Sequence, residues 1–207
     1  MKSVAKTADF PLNQFTNHIL TGVLLLVLLA STSFPALAAK RQPIDDELRN
    51  MLVEAANSSD SFSDRFEAEV WLSDMSNRLE RYIPEPDERI YFLKNVHYEA
   101  KRADLPPELV LSVIHVESLF NRWAISSVGA QGLMQVMPFW LKEIGHENDS
   151  LFDIKTNLRF GCTILRHYLD KEKGNLTRAL ARYNGSLGRF KYPNKVFTQL
   201  QNRWFKR

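Results

Sequence analysis

Cysteine is nearly missing from this chain of 207 residues: Cys162 stands alone, so no intramolecular disulfide and no multi-cysteine metal site can form. Histidine is also sparse, and His97, His115, His146 and His167 show no metal-ligand spacing. There is no Gly-rich phosphate loop or nucleotide fingerprint. Only eight Gly and nine Pro occur, with 44% hydrophobic and 25% charged residues, which excludes disordered and fibrous classes. The net charge of +3 is too small to argue for nucleic acid. No stretch alternates in the manner of a strand, so the chain is expected to be all-α.

One uninterrupted apolar run is present, Ile19 to Ala30, preceded by Lys2 and Lys6 and followed by Ser31-Thr32-Ser33-Phe34-Pro35 and Ala36-Leu37-Ala38. This is the pattern of a secretory signal cleaved after Ala38, and it predicts export to the periplasm or cell envelope. The alternative is a retained anchor, but the run is twelve residues where a spanning helix needs about 20. No cysteine stands near residue 38 to carry a lipid.

Beyond residue 38 the apolar spacing is helical. Leu48, Met51, Leu52 and Ala55 mark a short helix between Pro43 and Ala56. Phe66, Val70, Trp71, Met75, Leu79 and Tyr82 mark another that breaks at Pro84 and Pro86. Asp87 to Ala103 repeats the pattern, Pro106-Pro107 opens the next helix, and further helices are expected at 130–144, 156–173, 175–184 and 193–205. The expected organisation is a signal at 1–38, an N-terminal helical segment at 39–84 and a main domain at 85–207.

The small net charge hides a segregation. Residues 39–100 carry eight Lys or Arg against fourteen acids, residues 101–173 nine against nine, and residues 174–207 eight against none. A solvated or self-compensating surface accounts for this; a basic face meeting an anionic polymer is the sharper reading, and it predicts salt-sensitive attachment.

The helix after Pro107 is apolar on nearly every side and ends in a carboxylate, Glu117. Val113, Ile114 and Phe120, at three- and four-residue distances, are expected to share its face. An apolar setting raises a carboxyl pKa, as a general acid near neutral pH requires. A solvated glutamate at a fraying helix end is the plainer alternative. His115, about 200° round the helix at ~100° per residue, points away from Glu117. Glu108 lies about 13.5 Å along the same helix at ~1.5 Å per residue and on the opposite face, so it cannot be a second catalytic carboxylate. No acid follows Glu117 until Glu143.

The segment Glu117-Ser118-Leu119-Phe120-Asn121-Arg122-Trp123-Ala124-Ile125-Ser126-Ser127-Val128-Gly129-Ala130-Gln131-Gly132-Leu133-Met134-Gln135-Val136-Met137-Pro138 closely resembles the signature of the lytic transglycosylase family. Asn157-Leu158-Arg159-Phe160-Gly161 and Ala179-Leu180-Ala181-Arg182-Tyr183-Asn184-Gly185 agree in order and spacing, and the resemblance spans about 85–207. Two departures stand out: Trp140, where the family usually has Thr, and the turn Gly185-Ser186-Leu187-Gly188. The resemblance implies a lysozyme-like helical fold and cleavage of peptidoglycan. It implies Glu117 as the catalytic acid and Ser126 as a contact to the sugar's acetamido group. Gly132, Leu133, Met134 and Gln135 would line the glycan groove, with Tyr183 and Asn184 beside the carboxyl. Taken on their own chemistry, Ser126 and Gln135 suit a ligand, a tyrosine hydroxyl can orient a carboxyl, and glycine admits a bulky sugar, whereas Leu133 and Met134 suit a core.

The function expected is cleavage of the β-1,4 bond between N-acetylmuramic acid and N-acetylglucosamine without water, closing a 1,6-anhydro ring, with Glu117 as acid and then base. A hydrolytic lysozyme on the same fold, or a non-catalytic peptidoglycan-binding module of an envelope assembly, are the alternatives. No metal or cofactor is implied. The expected partners are glycan strands and an envelope protein docked on the N-terminal helices, with no nucleic acid, and the chain is expected to be a monomer.

Overall fold

The computed structural model describes residues 61–205 except Glu147, all within the compact unit Pro43–Arg207. The signal-like run, the cleavage site after Ala38 and the helix expected between Pro43 and Ala56 lie outside the described residues.

Among the described residues the architecture is all-α: α1 (Arg65–Leu79), α2 (Pro86–Arg102), α3 (Pro107–Glu117), α4 (Phe139–Ile144), α5 (Ile154–Lys171), α6 (Leu176–Tyr183) and α7 (Lys191–Gln199), the last running into a π-helical turn at Leu200–Trp204. Local chemistry accounts for the starts. Side chains of Asp64, Asp153 and Asn175 accept the free amides of Glu67, Thr156 and Arg178 at 2.8, 2.9 and 3.0 Å. Pro86 and Pro107 open α2 and α3 where a missing N–H costs no helical bond.

The central element is α3, whose residues Leu109 to His115 are all buried. It packs against α2, α7 and the π-helical turn. Trp71, Leu72, Met75 and Leu79 of α1 enter the same core as Leu93 and Val96 of α2, Leu158 and Leu165 of α5, and Val196 of α7. Cys162 is fully buried in that core, as its helical spacing with Leu158 and Leu165 suggests, and burial pushes its thiol far above the ordinary range.

The helix expected at 130–144 is only partly present. Residues 130–137 instead form a tight loop in which Gln131 makes isolated antiparallel bridges to Ile125 and to Val136, and helix resumes only at Phe139. Gly132 and Gln135 take left-handed backbone angles (φ 75° and 49°), which an α-helix cannot accommodate. A Cβ on Gly132 would lie 2.2 Å from the Leu151 carbonyl oxygen and 2.3 Å from Asn157 Nδ2. Asn157, buried on α5, holds the loop: its Oδ1 accepts from Met134 N at 2.8 Å, and its Nδ2 donates to the Gln131 and Leu151 carbonyls at 2.9 and 2.7 Å.

Candidate active site

Glu117 is the last residue of α3, where Ser118 leaves helical geometry and the chain turns back through Leu119 and Phe120 at φ 51° and 67°. That reversal corrects one expectation. Phe120 does not continue Glu117's helical face; it joins a ring cluster with Tyr82, Phe92, His115 and Trp204. Val113 and Ile114 are fully buried in the core. His115 does point away: Trp204 Nε1 donates to its Nδ1 at 3.1 Å, leaving Nε2 to pair with the Tyr82 hydroxyl at 3.1 Å. Burial, with the Arg81 and Arg203 charges, lowers its pKa and keeps it neutral.

The Glu117 carboxyl faces a cleft of about 320 Å³ lined by Val116, Asn184, Ser186, Arg189, Lys191, Tyr192 and Lys195. Burial raises its pKa from 4.5 to about 7, against the opposing pull of a hydrogen bond from Tyr192 and the charge of Lys195. Glu117 is the sole carboxylate among the described residues lining this cleft. Three other acids are engaged elsewhere. Glu108 accepts from Trp71 Nε1 at 2.8 Å, Asp149 from the His146 amide at 2.9 Å, and Asp153 caps α5.

Tyr192 is the residue that local sequence reasoning misses. Its hydroxyl donates to Glu117 Oε1 at 2.5 Å across a separation of 75 residues, and burial beside that carboxyl raises its own pKa well above 10, so it stays a donor. The sequence signal was faint: a tyrosine between cations, at helical spacing to Val196.

The motif residues divide into two groups. Asn184 shares the Glu117 cleft. Tyr183 is half-buried and lies near enough to Glu117 that, after burial, the carboxyl's charge raises its pKa; its hydroxyl donates to the Met134 carbonyl at 2.8 Å, and the hydroxyl bonded to the carboxyl is that of Tyr192. The other motif positions belong to the loop. Leu133 and Met134 are 2% and 0% exposed, so their side chains belong to the core rather than to a groove wall. Gly132 is buried, and its missing side chain makes room for Leu151 and Asn157, not for a sugar. Gln135 Nε2 donates to the Ala124 and Gly132 carbonyls at 3.1 and 2.9 Å, which leaves its Oε1 for a partner. Ser126 Oγ accepts from the Ala130 amide at 3.0 Å and retains its own proton to donate. Ser118, which the motif contains without an assigned task, donates to the Leu133 carbonyl at 2.8 Å and ties the end of α3 to the loop. Both departures from the family pattern acquire positions. Trp140 packs against the core, and Ser186 enters the cleft wall between Gly185 and Gly188, whose φ values are 68° and 86°.

Comparison with known proteins follows the same outline. The "Transglycosylase" of Enterobacteria phage PRD1 is 36% identical over 104 residues, 47% of this chain and 38% of that protein. The "Membrane-bound lytic murein transglycosylase C" of Actinobacillus pleuropneumoniae serotype 5b is 47% identical over 47 residues, 23% of this chain and 13% of that protein. The matches thus span well under two thirds of either relative. Among solved structures, the 70 kDa soluble lytic transglycosylase of Escherichia coli is similar over 78% of this chain and 31% of its own, at 21% identity and a TM-score of 0.42. The lytic transglycosylase Slt of Pseudomonas aeruginosa is similar over 78% and 32%, at 20% identity and a TM-score of 0.42. The family model described as the transglycosylase SLT domain matches residues 94–203, from within α2 to the π-helical turn and so enclosing both Glu117 and Tyr192; the chain belongs to that family.

Proposed function

We propose that this chain cleaves the β-1,4 bond between N-acetylmuramic acid and N-acetylglucosamine in peptidoglycan without water, leaving a 1,6-anhydromuramic end. The observation that carries the reading is a single carboxyl of raised pKa in an open cleft whose described lining holds no second acid. A two-carboxylate hydrolase needs its pair about 5 to 9.5 Å apart. The names of the relatives agree with this reaction.

Glu117, whose acid form is still substantially populated at neutral pH, gives its proton to the bridging oxygen as the glycosidic bond breaks. The acetamido carbonyl of the muramic sugar attacks its own anomeric carbon, so the substrate supplies the first nucleophile. The Glu117 carboxylate then removes the proton of the same sugar's 6-hydroxyl. That oxygen displaces the acetamido oxygen, closes the anhydro ring, and Glu117 is protonated again. Tethering gives the 6-hydroxyl a large effective concentration over water. Tyr192 holds the carboxyl in one orientation and steadies its charged form between the two proton transfers. Ser126 and Gln135 offer hydrogen bonds to the acetamido group and hydroxyls, and Asn184 does so from the cleft wall. The enzyme works in the periplasm or cell envelope, exported by its N-terminal segment.

Digestion of purified peptidoglycan, read by mass spectrometry, tests the proposal. Products lighter by one water than hydrolytic ones are expected, and Glu117→Gln should produce none. Reducing muramic ends would instead identify a lysozyme, and undigested but bound glycan a binding module.

A further inference from the structure

Among the described residues five arginines outside the cleft pair with an acid. Arg78 pairs with Asp74, Arg102 with Glu99, Arg166 with Asp104 and Asp170, and Arg178 and Arg182 with Glu172. The cleft wall gathers cations that are not paired in this way. Arg189, Lys191 and Lys195 line it, all three are exposed, and among the described residues none has an acidic partner. No acid exists anywhere after Glu172 to supply one. Lys191 and Lys195 stand four residues apart on α7, a spacing at which like charges face each other and cost helix stability. Arg189 joins them because the chain turns through Gly185 and Gly188, both left-handed, before α7 begins. Three cations without an acidic partner thus line the same cleft as Glu117, the only carboxylate among its described lining residues, and of the three Lys195 acts on Glu117 electrostatically.

A neutral polysaccharide would gain nothing from this wall. The muramic sugar differs from its N-acetylglucosamine neighbour by an acidic substituent on its 3-oxygen, which ends in a lactyl carboxylate or continues into a peptide bearing carboxylates. Resting on the reading above, we propose that Arg189, Lys191 and Lys195 form an anion subsite that receives the carboxylate on the muramic 3-substituent and so selects which sugar sits beside Glu117. This is narrower than general attraction to an anionic wall, because it places the contact at the reacting sugar. It also has a consequence for the chemistry: an anion seated on Lys195 offsets the charge that favours ionised Glu117, so the occupied site holds its acid protonated more firmly than the empty one.

The test uses the full chain and muramic-containing oligosaccharides in three forms: lactyl carboxylates free, the same converted to neutral methylamides, and peptide-bearing. At low salt the unsubstituted protein should show kcat/KM about tenfold higher on an acidic form than on the methylamide, an effect that several exposed ion pairs can supply together. The ratio should collapse near 1 M NaCl, where the screening length is about 3 Å. Arg189→Gln/Lys191→Gln/Lys195→Gln should bring it to about one. Whichever acidic form loses more identifies the source of the carboxylate. Equal kcat/KM on acidic and neutral forms by the unsubstituted protein would overturn the proposal, whatever the variant does. Calorimetric binding of the same three forms separates the two readings. A protein that cleaves none of them yet binds the acidic forms about tenfold more tightly than the methylamide refutes the proposed reaction and upholds the subsite, whereas equal binding refutes the subsite.

Discussion

Replacing Glu117 with Gln keeps the side chain's shape and its acceptor for the Tyr192 hydroxyl, and removes one proton equilibrium. The effect on stability can be worked out. In the folded protein burial holds the Glu117 pKa at about 7 against an ordinary 4.5. Between these values the folded state binds a proton that the unfolded chain has released, so stability falls as pH rises through this window. Below about pH 4.5 both states are protonated and the full contribution is present; above about pH 7 it is gone. At about 1.36 kcal/mol per pH unit, the displacement corresponds to a loss of about 3 kcal/mol across the window. The Gln variant has no such loss. Its stability relative to the parent should therefore climb by up to about 3 kcal/mol from pH 4.5 to pH 8, while every other titrating group cancels in the comparison. Urea unfolding followed by circular dichroism at several pH values measures this difference directly. The same variant should lose at least the ~10² to 10⁴ in rate that general acid catalysis supplies. A stability difference that stays flat with pH would refute the claim that the carboxyl is buried at a cost, and a fully active variant would refute its role in the reaction.

Three further outcomes are expected. Since the acid form of Glu117 is the one that begins the reaction, kcat/KM should decline above about pH 7, tenfold per pH unit, in a pH–rate profile on soluble glycan; activity that stays level to pH 9 would count against it. Tyr192→Phe removes the hydrogen bond that favours the charged carboxyl, so the alkaline limb should move to higher pH while kcat falls about tenfold or more, as befits a lost bond to a charged group; an unmoved limb would show that the hydroxyl does not act on Glu117. Asn157→Leu strands the Met134 amide and the Gln131 and Leu151 carbonyls, and thermal unfolding should report a loss of about 3 kcal/mol; a change near zero would mean that the loop 130–137 is held by other contacts.

The sequence by itself determined what depends on near neighbours. Helix spacing from Phe66 to Tyr82 and the prolines that open α2 and α3 act within a few residues, so periodicity and proline placed most helices within a few residues of where they lie. Glu117 was legible for the same reason: an acid at the end of an apolar helix, followed by a run of motif residues, declares itself locally. Residues 130–137 escaped that reasoning because their apolar spacing imitates a helix, while the left-handed Gly132 and Gln135 and the grip of Asn157 from α5 override it. Phe120 escaped it because α3 stops where Glu117 does. The cleft itself is a product of tertiary packing alone. α7 lies against α3, which brings Tyr192 to Glu117 over 75 residues and sets Arg189, Lys191 and Lys195 along one wall. Burial, not spacing, then decides the pKa of the carboxyl, because desolvation is a property of everything packed around a group and no local pattern encodes it.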